Sequence, residues 1–137
     1  RAGLLPYRGK ASIPVEILDK PGALTTDEMD VVKTHPGLGY DYLRAQGTVG
    51  YDILTAVRSH HEYLDGSGYP DGLISSQIGD IPRIVTICDV LGAMMERRSY
   101  KPAMARDAAI EILYGMADKG KLERPLVGAM QRALEAA

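Results

Sequence analysis

His60-His61-Glu62-Tyr63-Leu64-Asp65-Gly66-Ser67-Gly68-Tyr69-Pro70 gathers most of the unusual chemistry of this chain into one run. Two of the three histidines stand side by side in it. They close a segment in which Ile53, Ala56 and Val57 recur at helical spacing, which puts His60 on the apolar face and His61 about 100° round from it. Asp65, Gly66, Gly68, Pro70 and Gly72 then break the helix into a loop that bends sharply and lets its backbone approach a ligand closely. Imidazoles at a helix end therefore face a glycine-rich wall.

The third histidine, His35, stands in Lys33-Thr34-His35-Pro36, at the end of another expected helix, because proline restricts the residue before it. Imidazole is the commonest metal ligand in proteins, and three imidazoles from two helices can occupy one face of an iron, manganese or zinc ion. A lone histidine on an apolar face also serves as a hydrogen-bonded core residue, and adjacent histidines occur by chance. Spacing alone leaves both readings open.

Bulk properties narrow the rest. A chain of 137 residues is one domain by size and long enough to bury a real core, although it carries eight tyrosines and no phenylalanine or tryptophan. A net charge of −2 provides no electrostatic drive towards a nucleic-acid polymer or an anionic membrane, so a small anionic ligand needs a local basic site. The single cysteine, Cys88, rules out an internal disulfide framework. No apolar run approaches the ~20 residues of a membrane span and no signal peptide opens the chain, so the cytoplasm is the expected location.

Punctuation along the chain points to helices throughout. Thr25-x-x-Glu28 has the form of a capping box, with Leu24 and Met29 placed for a hydrophobic staple, and opens a helix from about Thr26 that runs until Pro36. A short helix from about Leu38 to Gln46 ends at Gly47, and the next runs from about Val49 to His61. Gly79-Asp80-Ile81-Pro82 reads as a cap with proline in the first turn, opening a helix to about Glu96. Two more follow, about Ala103–Asp118 and Arg124–Ala136, separated by Gly120 and with Pro125 in a first turn. Repeats, low-complexity tracts and strand-period alternation are absent from the sequence.

Asp89 lies in the middle of the apolar helix that carries Ile84, Val85, Ile87, Val90 and Leu91. A carboxylate there is costly unless a cation or hydrogen bonds compensate it. It can bind a metal, point along a polar edge, or pair with Arg83 or Arg97. The run Glu96-Arg97-Arg98-Ser99-Tyr100-Lys101 concentrates positive charge at a helix C-terminus, where cations are favoured in any case.

Several of these motifs together resemble one family. His60–Gly72 with its Gly68-Tyr69-Pro70 resembles the signature of the HD-GYP family, bacterial metal-dependent phosphodiesterases of the HD superfamily that hydrolyse cyclic di-GMP. Gly9-Lys10-Ala11-Ser12-Ile13-Pro14, Ile17-Leu18-Asp19-Lys20-Pro21-Gly22, Lys33-Thr34-His35-Pro36 with Gly39-Tyr40, and Cys88-Asp89-Val90 followed by Arg98 and Tyr100 fall in the family's order and spacing. The similarity covers roughly residues 4–115.

The resemblance implies an all-α fold, a compact bundle of about five to six helices of the HD-domain type, over residues 1–137 as a single domain. Leu4-Leu5 resembles the tail of a helix whose earlier turns lie upstream, so the expectation is a domain truncated at its N-terminus. His35, His60, His61 and Asp89 match the family's metal ligands, and Lys10 and Asp89 its catalytic positions. Lys10, Gly68, Tyr69, Pro70, Arg98 and Lys101 match positions that bind the nucleotide. Implied partners are cyclic di-GMP, diguanylate cyclase (GGDEF-type) domains docking through the Gly-Tyr-Pro loop, and a second copy in a homodimer.

Two departures bear on activity. Pro6 and Tyr7 stand where the family carries the His-Asp pair that gives it its name, and Gly92 stands where a second acidic residue follows Asp89. Proline has no donor side chain, and a phenol with a pKa near ~10 is a poor substitute for a bridging carboxylate. The expectation is therefore at most one divalent ion, iron, manganese or zinc, in an incomplete site. Such a domain hydrolyses cyclic di-GMP weakly or not at all and acts by binding nucleotide or protein; the alternative is an active phosphodiesterase that uses one metal or ligands from outside this chain.

Overall fold

Thr25 opens the first of the described helices by accepting the Glu28 amide on its hydroxyl at 3.1 Å, while the Glu28 carboxylate accepts the Thr25 amide at 2.9 Å. The capping box thus satisfies two donors that a helix start leaves over. In the computed structural model, which describes residues 22–96 and 103–136, this helix is α1, Thr26–Val32. It is followed by α2 (His35–Gln46), α3 (Tyr51–Ser59), a 3-10 turn (Ser75–Gln77), α4 (Asp80–Met95), α5 (Arg106–Asp118) and α6 (Arg124–Ala136). Among the described residues the only β pairing is an isolated antiparallel bridge between Asp65 and Ile74. The fold is all-α, as expected.

Consecutive helices pack on one another from α2 through α6, so α4 lies between α3 on one side and α5 on the other. Ile87, Leu91 and Met94 of α4 meet Ala109, Ile110 and Leu113 of α5, with Leu122 and Val127 closing the cluster. Each large aliphatic side chain buried there contributes about 1.5–3 kcal/mol. On α2, His35, Gly39 and Leu43 recur every four residues on the buried face, which turns His35 inward towards α3.

Arg83 joins three segments. Its guanidinium donates to the carbonyls of Ile78 and Ser75 and to Glu123 at the start of α6, with 2.9 Å to both Ile78 and Glu123. A planar fork with five donors suits such a junction. Asp89 therefore does not have Arg83 as its partner.

Boundaries differ from the sequence expectation at several helix ends. His35 does not close the first helix; α1 stops at Val32 and His35 opens α2, three residues ahead of the expected Leu38. Pro36 sits in the first turn of α2, where its missing N–H costs nothing, so here proline starts a helix. The helix expected to reach His61 ends at Ser59, with His60 as its C-cap. The one expected from Ala103 starts at Arg106.

Candidate metal centre

The N-terminus of α2 and the C-terminus of α3 meet, and each brings histidine to the junction. Nδ1–H of His35 donates to the Val32 carbonyl at 2.7 Å, and Nδ1–H of His60 donates to the Val57 carbonyl at 2.7 Å. A carbonyl only accepts, so in both rings the hydrogen is on Nδ1 and Nε2 is turned to the partner. The two Nε2 atoms are 3.1 Å apart, and both histidines are essentially inaccessible to solvent. The ring of His61 joins them, its centroid 4.8 Å from that of His35 and 4.3 Å from that of His60. One donor atom from each of the three lies within 4.8 Å of the others.

This donor set fits a first-row divalent ion. Two nitrogens each about 2.1 Å from one ion, at angles between a right angle and the tetrahedral value, stand roughly 3.0–3.4 Å apart. The His35–His60 spacing of 3.1 Å falls within that interval. Backbone carbonyls on Nδ1 are the usual outer partners of a ligating histidine, because they fix both the tautomer and the ring orientation.

Asp89 approaches from α4, its Oδ2 3.5 Å from His61 Nε2. That is too long for a good hydrogen bond but close enough for charge to act in a partly buried place. Lys10, Arg98, Lys101, Pro6 and Tyr7, singled out in the sequence, lie outside the described residues.

The glycine loop forms the wall. Tyr69 lies flat against His61, ring centroids 5.0 Å apart and planes 10° from parallel, and its ring stands edge-on to His35 at 6.5 Å. Lys33 Nζ is 5.6 Å from the Tyr69 centroid. Burial, with smaller contributions from Tyr63 and Asp89, pushes the Tyr69 phenol well above the ordinary tyrosine range, so it is a neutral hydroxyl. Cys88 is shifted upward by burial and then by Asp89, which keeps it a thiol and a poor nucleophile.

Sequence reasoning missed the residues that hold this wall. Glu62 is 2% exposed, and its carboxylate accepts the Asp71 amide at 2.6 Å and the Leu73 amide at 2.7 Å. Arg58 grips Asp71 with two hydrogen bonds, 2.8 and 2.9 Å. The readable signal was an acidic residue directly after the histidine pair and ahead of a loop rich in backbone donors.

An all-α bundle in which two helix ends and an interior aspartate converge on a three-imidazole cluster is the architecture of a metal-dependent HD domain. A family model described as "HD domain" matches residues 1–126. Among curated proteins, the chain is 46% identical over 119 residues to the cyclic di-GMP phosphodiesterase response regulator RpfG of Xanthomonas campestris, covering 85% of this chain and 31% of that protein. It is 37% identical over 120 residues to a cyclic di-GMP phosphodiesterase of Thermotoga maritima, covering 87% and 32%. It is also 34% identical over 132 residues to the 3'3'-cGAMP-specific phosphodiesterase 1 of Vibrio cholerae, covering 95% and 30%. The chain belongs to the HD-domain family, in the HD-GYP group that its motifs resemble. It spans about a third of the length of these relatives.

Proposed function

We propose that this chain is a cyclic di-GMP signalling domain that holds one divalent ion on His35, His60 and His61, with Asp89 beside them, and binds the dinucleotide against the Tyr69 wall. The observation that carries this reading is the pair of Nε2 atoms turned to each other 3.1 Å apart inside a three-histidine cluster. A divalent ion, if held there by His35, His60 and His61, would supply a Lewis acid for a phosphate oxygen and would lower the pKa of a bound water. The chain's own residues orient the substrate: Tyr69 offers a flat apolar face next to His61, and Lys33, Lys10, Arg98 and Lys101 are the cations proposed for its two phosphates. Fork-shaped guanidinium groups such as Arg98 suit phosphodiester oxygens.

Hydrolysis by this chain is proposed to be weak or absent, because Pro6 and Tyr7 replace the His-Asp pair and Gly92 replaces a second acid. A second reading, an active phosphodiesterase that gives linear pGpG or GMP, is favoured by the names of the relatives and by the assembled histidines.

The experiment is incubation of the chain with Mn(II), and separately with Fe(II) without oxygen, in the presence of cyclic di-GMP, followed by chromatography. Unchanged nucleotide, bound with an affinity that Arg98→Ala lowers about tenfold or more, supports the binding reading. Linear products that vanish in the His60→Ala/His61→Ala double variant establish the second reading. Pro6→His with Tyr7→Asp should raise hydrolysis if those two positions are what limits it.

A further inference from the structure

Glu62 follows the histidine pair directly, yet it points away from the imidazoles and into the loop. Both of its oxygens accept backbone N–H groups, from Asp71 at 2.6 Å and Leu73 at 2.7 Å, and the residue is 2% exposed. Short bonds to an ionised acceptor are about twice as strong as neutral ones, and they are what makes burying this carboxylate tolerable. The amide of Tyr69 donates to the carbonyl of His61 at 3.1 Å, so the loop is tied back onto the histidine segment at three successive alternate residues, 69, 71 and 73. Tyr69, fixed between these ties, lays its ring on His61.

The loop lies flat against one of the three histidines. His35 and His60 are each held by a carbonyl three residues back in their own chain turn. The ring of His61 lies against the face of Tyr69 and near Asp89, on the partly open side of the cluster. The stack on Tyr69 therefore couples the orientation of His61 to a loop whose shape Glu62 sets.

We propose that Glu62 is a positioning residue for the third metal ligand: by clamping the amides of Asp71 and Leu73 it keeps Tyr69 stacked on His61 and the imidazole aimed into the cluster. This rests on the reading of the cluster as a metal centre. A carboxylate is required because a glutamine at this site accepts one amide and presents an NH2 group to the other, two donors facing each other.

The test uses Co(II), whose visible absorption reports the ligand geometry, titrated into the full chain and into Glu62→Gln, Tyr69→Ala, Tyr69→Phe and the Glu62→Gln/Tyr69→Ala pair. Glu62→Gln and Tyr69→Ala should each weaken Co(II) binding about 10–100-fold and alter the spectrum, as loss of an outer-shell partner does. The double variant should be no weaker than the worse single one, because both act through one contact. Tyr69→Phe keeps the ring and should match the wild type. Wild-type affinity and spectrum in folded Glu62→Gln overturn the proposal. If Glu62→Gln does not fold, Tyr69→Ala behaving like Tyr69→Phe overturns it instead. Failure of the metal reading shows separately, as no Co(II) uptake by the wild type. In that case the ring-current shift of the His61 protons in the metal-free protein decides: lost in Glu62→Gln and Tyr69→Ala if the clamp sets the stack, retained if it does not.

Discussion

Nε2 of His35 and Nε2 of His60 stand 3.1 Å apart, although 25 residues separate them in the chain. Each ring is turned to the other by a carbonyl on its far nitrogen, 2.7 Å away in both cases. The arrangement is built by helix ends: the first turn of α2 carries one ring and the C-cap of α3 the other. Imidazoles held this way would already be in place for an arriving ion, which would reduce the ordering that binding must otherwise impose.

Metal uptake should therefore raise the melting temperature. At an ion concentration about 100 times the dissociation constant the expected stabilisation is about 2.7 kcal/mol, read by calorimetry with Mn(II) or Zn(II). His35→Ala and His60→Ala should each abolish the shift. A wild-type melting temperature indifferent to every first-row divalent ion would remove the metal centre.

Gly68 and Gly92 should respond in opposite ways to alanine. A Cβ on Gly68 would meet three backbone atoms, the His61 carbonyl oxygen, Glu62 Cα and Tyr63 N, none of which can rotate aside. Gly68→Ala should cost about 1–3 kcal/mol and loosen the loop. Gly92, in the interior of α4, has no atom of the described residues within 4 Å of its missing Cβ apart from its own stretch of helix. Gly92→Ala should stabilise by about 0.5–1 kcal/mol, measured by urea unfolding; destabilisation there would mean that the space beside α4 is filled.

The Arg58–Asp71 pair makes the loop acid-sensitive in a definite direction. The hydrogen bonds from Arg58 hold the Asp71 carboxyl below its ordinary value, against a smaller opposing effect of burial. A depressed folded pKa contributes stability that is complete above the unfolded pKa and is lost as pH falls through the folded one, here from about pH 4 downward. Both side chains are about a third exposed, at 36% and 35%, so screening keeps the contribution within about 1 kcal/mol. Asp71→Asn should lower stability at pH 7 by that amount and flatten the acid limb below pH 4. An identical acid limb in the variant would place the sensitivity elsewhere.

Removing the cap of α1 should cost about 1 kcal/mol in Thr25→Ala, and Glu28→Ala should lose part of the same energy because both belong to one reciprocal motif. Hydrogen exchange localises the effect: amides of 26–29 should exchange faster while those of α4 remain protected. Uniform loss of protection would show that α1 unfolds with the core.

Helix existence was readable because its causes are local. The capping box at Thr25, the left-handed Gly47 that ends α2, Pro82 in the first turn of α4 and Pro125 after Arg124 all act within a few residues of themselves. Pro36 was misread because a proline restricts the residue before it and also suits the first turn of the next helix. The packing of α2 on α3 decides between the two by burying His35 and Pro36 together.

The amino-acid sequence by itself determined that the chain is helical and that it resembles the HD-GYP family, and it singled out three histidines and Asp89 as candidate metal ligands. These follow from residue type and short spacing. Only the tertiary structure decided that His35 meets His60, that Asp89 faces His61 rather than Arg83, and that Glu62 serves the loop. Each depends on where a distant segment returns, and that is set by the burial of helix faces against one another, a sum over many weak contacts that no short stretch of sequence contains.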